Sequence, residues 1–195
     1  AQEITASDIE VMADSLINGL VQLHAVDASI LGELNKGVGY AARQVEGWSK
    51  RYRNALTDDV PSGEKVMAWL DANKPADVDS CIIHGDWRID NVVFDLAHGR
   101  IAGVLDWELA TVGDPLMDLG SALASWVDHD DEPAFASLRR QPSHLPGMPT
   151  RDEFVAKYLA ASGVRCDDFT FYEVFGLFRL AVIIQQIWAR YRAGQ

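Results

Sequence analysis

The chain has 195 residues, 48% of them hydrophobic, and carries 17 Lys and Arg against 29 Asp and Glu for a formal charge of −12. That length and composition support one domain or a large lobe with a real core, and they exclude a disordered chain. The basic residues are scattered among a majority of acids, which excludes a nucleic-acid binder, because a polyanion is held by clustered Lys and Arg.

Cys81 and Cys166 are the two cysteines, with no C-x-x-C and no metal-ligand spacing. This points to a reduced, cytoplasmic protein. No basic segment followed by an apolar one opens the chain. The most apolar stretch, 174–188, is interrupted by Arg179, Gln185 and Gln186, so it reads as a core helix and not as a membrane span.

In chain order, Ser7 followed by Glu10 has the form of a capping box. Ile9, Met12, Ala13, Leu16, Ile17, Leu20 and Val21 then recur at helical spacing. His24, at the end of this helix, reads as a packed or capped histidine, since a lone histidine is a weak catalytic signal. Gly37-Val38-Gly39 is a connector: no strand precedes it and the third glycine of a phosphate-binding turn is missing. Residues 40–56 predict a second helix, with Val45, Trp48, Tyr52 and Leu56 on one face and Arg43, Lys50, Arg51 and Arg53 around the rest. Residues 64–72 make a shorter one, ended by Asn73-Lys74-Pro75.

The next stretch carries the chemistry. Cys81-Ile82-Ile83 is a β-prone run leading into His84-Gly85-Asp86-Trp87-Arg88-Ile89-Asp90-Asn91, and Val92-Val93-Phe94 leads out. Residues 101–105 return as a strand that delivers Asp106. Asp86, Asn91 and Asp106 are therefore expected to converge. Moving a phosphoryl group to a hydroxyl requires a carboxylate to accept or orient the hydroxyl proton and hard oxygens to bind Mg2+. Asp86 suits the first task, Asn91 and Asp106 the second. Arg88 is placed to offset the charge of the transferred phosphate. Taken singly, an Asp in a turn is commonly an Asx cap and an Asn before a strand an ordinary turn residue; the joint spacing is what points to a site. Asp90 has the weaker claim, and Glu108 reads equally as a metal or substrate contact and as a solvated acid.

Asp114-Pro115 starts another helix, with Leu116, Leu119, Ala122, Leu123 and Trp126 on its apolar face and Asp118 where it can answer the helix dipole. Residues 128–150, rich in Asp and Pro, read as a loop-rich insertion with a short helical piece around 135–140. Thr150 to Glu153 open a helix that Gly163 ends. Asp167-Asp168 precede a final long helix, 169–191, whose middle is apolar nearly all round and is expected at the centre of the fold.

His84-Gly85-Asp86 with Asn91 resembles the catalytic loop of the aminoglycoside phosphotransferase family, a branch of the protein-kinase-like superfamily whose kinase members carry H-R-D-x-x-x-x-N. Leu105-Asp106-Trp107-Glu108 is similar to the D-F-G segment, and Gly113-Asp114-Pro115-Leu116-Met117-Asp118-Leu119 to the family's next motif. From Leu23-His24-Ala25-Val26-Asp27 to Gln185-Gln186-Ile187-Trp188-Ala189-Arg190-Tyr191 the chain most resembles the kinase-like domain that accompanies some acyl-CoA dehydrogenases.

The resemblance implies a mainly α fold with a small β-hairpin, the C-terminal lobe of a protein-kinase-like fold. It implies Asp86 as the catalytic Asp, Asn91 and Asp106 as Mg2+ and nucleotide ligands, and Arg88 at a phosphate-contacting position. His84 becomes a structural post and Asp118 a brace for the loop. ATP is the implied co-substrate, and the implied acceptor is a small-molecule hydroxyl on an aminoglycoside, a hydroxylated acyl thioester or another metabolite. A kinase-like enzyme also needs a glycine-rich strand-turn and a strand Lys paired with a helix Glu, and neither precedes residue 84. The expectation is a C-terminal lobe that works with its own N-terminal, nucleotide-clamping lobe and is inactive alone. Two other readings stay open: a catalytically silent module that retains the fold, and a metal-dependent phosphohydrolase, disfavoured because His84 has no second His at a ligating spacing.

Overall fold

The computed structural model describes residues 5–195. Helix α1 (Ala6–His24) begins at a capping box in which the Thr5 and Asp8 side chains each accept the other's backbone N–H. The box therefore lies two residues before the expected Ser7 and Glu10. Thr5 has the extended backbone that a cap requires, which leaves Ser7 inside the first turn. Ala13, Leu16, Ile17 and Leu20 face the core.

After a kinked 3₁₀ segment (Ala28–Leu34), Gly39 in the left-handed region starts α2 (Tyr40–Ala55). Ala41, Val45, Ser49 and Tyr52 are its buried residues, and Leu56, expected on that face, stands 43% exposed just past the helix end. Helix α3 (Glu64–Ala72) buries Met67 and Leu70 and turns Trp69 outward.

Strands β1 (Cys81–Ile83), β2 (Val92–Asp95), β3 (Arg100–Val104) and β4 (Thr111–Gly113) form two antiparallel pairs. β2 and β3 make the expected hairpin, turning at Gly99 in the left-handed region. β1 does not share it. Its three buried residues need partners for their backbone N–H and C=O groups, and they find them on β4, with Cys81 opposite Gly113. The single hairpin read from the sequence is thus corrected to two small sheets; Thr111-Val112-Gly113 is too short to announce a strand.

Helix α4 (Pro115–Leu123) is capped by Asp114, whose Oδ1 accepts from the N–H groups of Leu116 and Met117, with Pro115 in the first turn. Within 128–150 the one helical turn is α5 (Pro133–Ala136), earlier than the expected 135–140. Helix α6 (Arg151–Ser162) runs from a Thr150–Glu153 capping box to Gly163 in the left-handed region. Helix α7 (Thr170–Arg192) packs on α4 at a glycine crossing. A Cβ on Gly176 would stand 2.1 Å from the Gly120 carbonyl oxygen, and one on Gly120 would stand 2.2 Å from that of Tyr172.

The first half of α7 buries Phe171, Phe175 and Phe178 in the core. Its second half departs from the expected place at the centre of the fold, because Ile184, Ile187, Trp188 and Tyr191 are exposed. α7 has 23 residues and α4 only 9, so α4 cannot cover that length. By length and composition α7 could cross a membrane, but Arg179 and Gln185 spend their polar groups on backbone carbonyls of the fold.

Candidate active site

Residues 84–91 leave β1 as an irregular loop, and its backbone is held from four directions. Asp118, on the first turn of α4, accepts the His84 N–H at Oδ2 (2.9 Å) and the Gly85 N–H at Oδ1 (2.8 Å). Burial raises its carboxyl pKa, but the hydrogen bonds from His24, His84 and Gly85 outweigh that and leave it below the usual carboxylate value. The bond from His24 Nε2 is 3.1 Å, and His24 Nδ1 meets the Tyr158 hydroxyl of α6 at 2.6 Å. His24 is thus a packed histidine, as its sequence context indicates, and it ties α1 and α6 to the loop.

From α7, Arg179 Nη2 donates to the Gly85 carbonyl at 2.7 Å while its guanidinium lies 5.2 Å from the Trp48 ring centroid. Burial lowers the Arg179 pKa. Gly85 has φ +79°, and a Cβ there would stand 2.8 Å from the Leu109 carbonyl oxygen, so a side chain is excluded by conformation and by space. Further on, Gln141 Oε1 accepts the Ile89 N–H at 3.1 Å and its amide nitrogen donates to Ser125.

His84 is fully buried. Its Nδ1 accepts the Asp86 N–H at 3.2 Å and its Nε2 donates to the Leu105 carbonyl at 2.9 Å, which fixes the Nε2–H tautomer. The Trp107 ring covers it at 5.0 Å between centroids. With both nitrogens engaged, His84 links the loop to the end of β3.

Asp86 and Asn91 are in direct contact. Asn91 Nδ2 donates to the Asp86 carbonyl (2.9 Å) and to its Oδ2 (3.1 Å). The 3₁₀ turn Ile89–Asn91 makes that reach possible, and the geometry turns Asn91 Oδ1 away from Asp86. The Leu105 N–H donates to the Asn91 carbonyl at 2.8 Å, so β3 ends against the loop and sets the Asp106 backbone beside it. Asp106 has φ +61° and is the one described non-glycine residue with positive φ. Such a conformation costs about 1–2 kcal/mol, and the carboxylate so placed is exposed.

Arg88 faces Asp90: Nε and Nη2 donate to its two carboxylate oxygens at 2.9 and 2.7 Å. That bond raises the Arg88 pKa. Glu108 is exposed on the turn Trp107–Leu109 that follows Asp106. The structure thus joins Asp86 to Asn91, sets the backbone of Asp106 next to them, and pairs Arg88 with Asp90.

Arg179, Tyr158 and Gln141 escaped the sequence reading as site supports. For Arg179 a signal existed, since a charge in the middle of an apolar helix calls for a buried partner; Tyr158 and Gln141 gave none.

The residues expected to hold a metal, Asn91 and Asp106, offer one amide and one carboxylate oxygen donor. These are hard oxygens and few, which suits Mg2+, an ion that keeps waters and phosphate oxygens in its own shell. No group of three or more His, Cys, Asp or Glu side chains arranged to hold a metal occurs among the described residues.

Comparison with known proteins places the chain in a family. The family model described as "Phosphotransferase enzyme family" matches residues 2–154. Mouse acyl-CoA dehydrogenase family member 10 is 34% identical over 179 residues, which cover 90% of this chain and 17% of that protein. Rat acyl-CoA dehydrogenase family member 11 is 34% identical over 190 residues, 92% of this chain and 24% of that protein. The chain therefore spans about a quarter or less of these curated relatives. A solved Ralstonia eutropha protein, assigned by name to the aminoglycoside phosphotransferases, superposes with a TM-score of 0.83 at 30% identity, covering 100% of this chain and 60% of that one.

Proposed function

Since this chain belongs to the phosphotransferase enzyme family, we propose that it carries the catalytic loop of an enzyme that moves the terminal phosphate of ATP to a hydroxyl on a small molecule. The observation that carries the reading is the Asp86–Asn91 contact, held in place by Asp118, Arg179 and His84.

Asp86 accepts the proton of the acceptor hydroxyl. The Asn91 amide holds its Oδ2, which leaves Oδ1 as the oxygen to face the hydroxyl. Because Asn91 Nδ2 is committed to Asp86, Asn91 Oδ1 is the atom available to a cation, and Asp106, whose backbone follows Leu105 beside the loop and whose side chain is exposed, would supply the second hard oxygen. Mg2+ bound there would neutralise and orient phosphate oxygens. Arg88 stands two residues from Asp86 and is held by a bidentate pair with the exposed Asp90, which it would exchange for the transferred phosphate. Little covalent help is needed from the protein; positioning and charge do the work.

The test uses the full-length protein, with the N-terminal lobe this chain is expected to work with, and follows transfer of labelled terminal phosphate from ATP to hydroxylated small molecules, together with Mg2+-dependent nucleotide binding. Asp86→Asn is expected to lower transfer by about 10²–10⁴-fold and to leave nucleotide binding intact. Asp106→Ala is expected to lose both. Wild-type transfer in either variant, or release of phosphate from esters without ATP, would overturn the proposal.

A further inference from the structure

A cavity of about 580 Å³ opens between α4, α5, α6 and α7, walled by Leu123, Val155, Leu159 and Leu177. It does not belong to the catalytic loop. α4 and α7 each hold the loop with one side chain, Asp118 and Arg179, and each lends the cavity residues from another face. At 3.6 residues per turn, Leu123 points about 140° away from Asp118 and Leu177 about 160° away from Arg179. The two helices therefore stand between the loop and the cavity.

The walls are apolar and the mouth is acidic. Asp131, Glu132, Asp152, Glu173 and Arg151 ring it. Arg151 is already spent: it donates to both Asp131 oxygens at 2.7 and 2.6 Å and to the Trp126 carbonyl at 2.8 Å, and it lies over the Phe135 ring. No ion pair to Glu132, Asp152 or Glu173 occurs among the described residues, so three carboxylates at the starts of α5, α6 and α7 surround an apolar opening, with Arg151 near enough to Glu173 to act on it only through space. Leu177 stands at this mouth 38% exposed, although it is a large apolar side chain. A volume of this size accommodates a drug-sized or medium-chain ligand. Apolar walls bury its body, and the rim repels an anion and attracts a cation.

We propose that this cavity is a second binding site, separate from the phosphotransfer site, for an apolar amine: a molecule with a hydrocarbon body and a single cationic head. The site excludes carboxylates and phosphates of the same apolar size, including nucleotides. The body lies between Leu123, Leu159 and Leu177, and the ammonium group stays at the mouth among Glu132, Asp152 and Glu173.

The experiment is calorimetric titration of the purified chain with decylamine and, separately, decanoate, both below their micellar concentrations. Decylamine is expected to bind saturably with one-to-one stoichiometry and at least tenfold more tightly than decanoate. Leu177→Trp fills the mouth from a partly exposed position that folding tolerates, and it is expected to weaken decylamine at least tenfold. Glu173→Lys, on the surface, is expected to weaken decylamine and to strengthen decanoate. Circular dichroism of both variants checks that they are folded. The absence of saturable decylamine binding, equal affinity for decanoate, or binding unchanged in folded Leu177→Trp would each overturn the proposal.

Discussion

Asp118 is a fully buried carboxylate that accepts from two consecutive backbone N–H groups and from His24. An amide in its place offers one acceptor where two oxygens are used, so Asp118→Asn must strand a loop N–H or face His24 with a donor. The expected cost is about 3 kcal/mol, read as a fall in the urea midpoint. The pH dependence has a definite sign. Asp118 is held below its unfolded value of 3.8, so its contribution to stability is complete above that value and is lost as pH falls through the lower, folded one. Asp114, four residues earlier, behaves oppositely. Burial raises its pKa against the pull of the Leu116 and Met117 N–H groups, so its contribution declines as pH rises from 3.8 through the folded value. Urea midpoints measured from pH 2 to 7 should show an acid limb in the wild type that is shallower in Asp118→Asn; identical limbs would refute the assignment. The position of Asp118 was legible because an acid in the first turn of a Pro-started helix is a local pattern. The Tyr158–His24 bond that supports it was not, because it joins residues 134 positions apart.

At the scale of elements, the glycine crossing of α4 and α7 fixes how far apart Asp118 and Arg179 stand, and therefore how both grip the loop. Gly176→Ala would push a methyl group to within 2.1 Å of the Gly120 carbonyl oxygen, which only separation of the helices relieves. The expected destabilisation is about 1–3 kcal/mol, read as a lower urea midpoint. Gly163→Ala is the control. Gly163 has φ +71° but nothing near its missing Cβ, so that variant should lose only about 1 kcal/mol, the cost of left-handed backbone. If the two substitutions cost the same, close approach is not what Gly176 provides. Most helices could be read from the sequence because local chemistry starts and stops them: α3 has the expected bounds, and Thr150, Glu153 and Gly163 delimit α6. What could not be read is what distant pairing decides. β4 exists because buried β1 needs hydrogen-bond partners, and the exposed half of α7 follows from the short length of its neighbour α4.

For the molecule as a whole, the formal charge of −12 sets two opposed responses to salt. Ion pairs such as Arg53–Glu64, Lys157–Asp14 and Arg192–Asp58 lie on the surface. Each contributes roughly 0–1 kcal/mol, and salt weakens them. Against them stands the mutual repulsion of the surplus acids, which is stronger in the compact chain than in the expanded one and so opposes folding. The buried attachments of the loop, Asp118 to the backbone and Arg179 to the Gly85 carbonyl, are shielded from ions and change little. Repulsion grows with the square of the surplus charge, whereas the pairs add one at a time, so repulsion should dominate. Raising NaCl from about one third of physiological ionic strength to about three times it, where the Debye length shortens to well under 10 Å, is therefore expected to raise the urea midpoint at pH 7. Lys or Arg substitutions at Glu132 and Asp152, where acids crowd one opening, should raise the low-salt midpoint and flatten its salt dependence. A midpoint that falls with salt would mean that the surface pairs, and not the surplus of acid, govern the electrostatics of this chain.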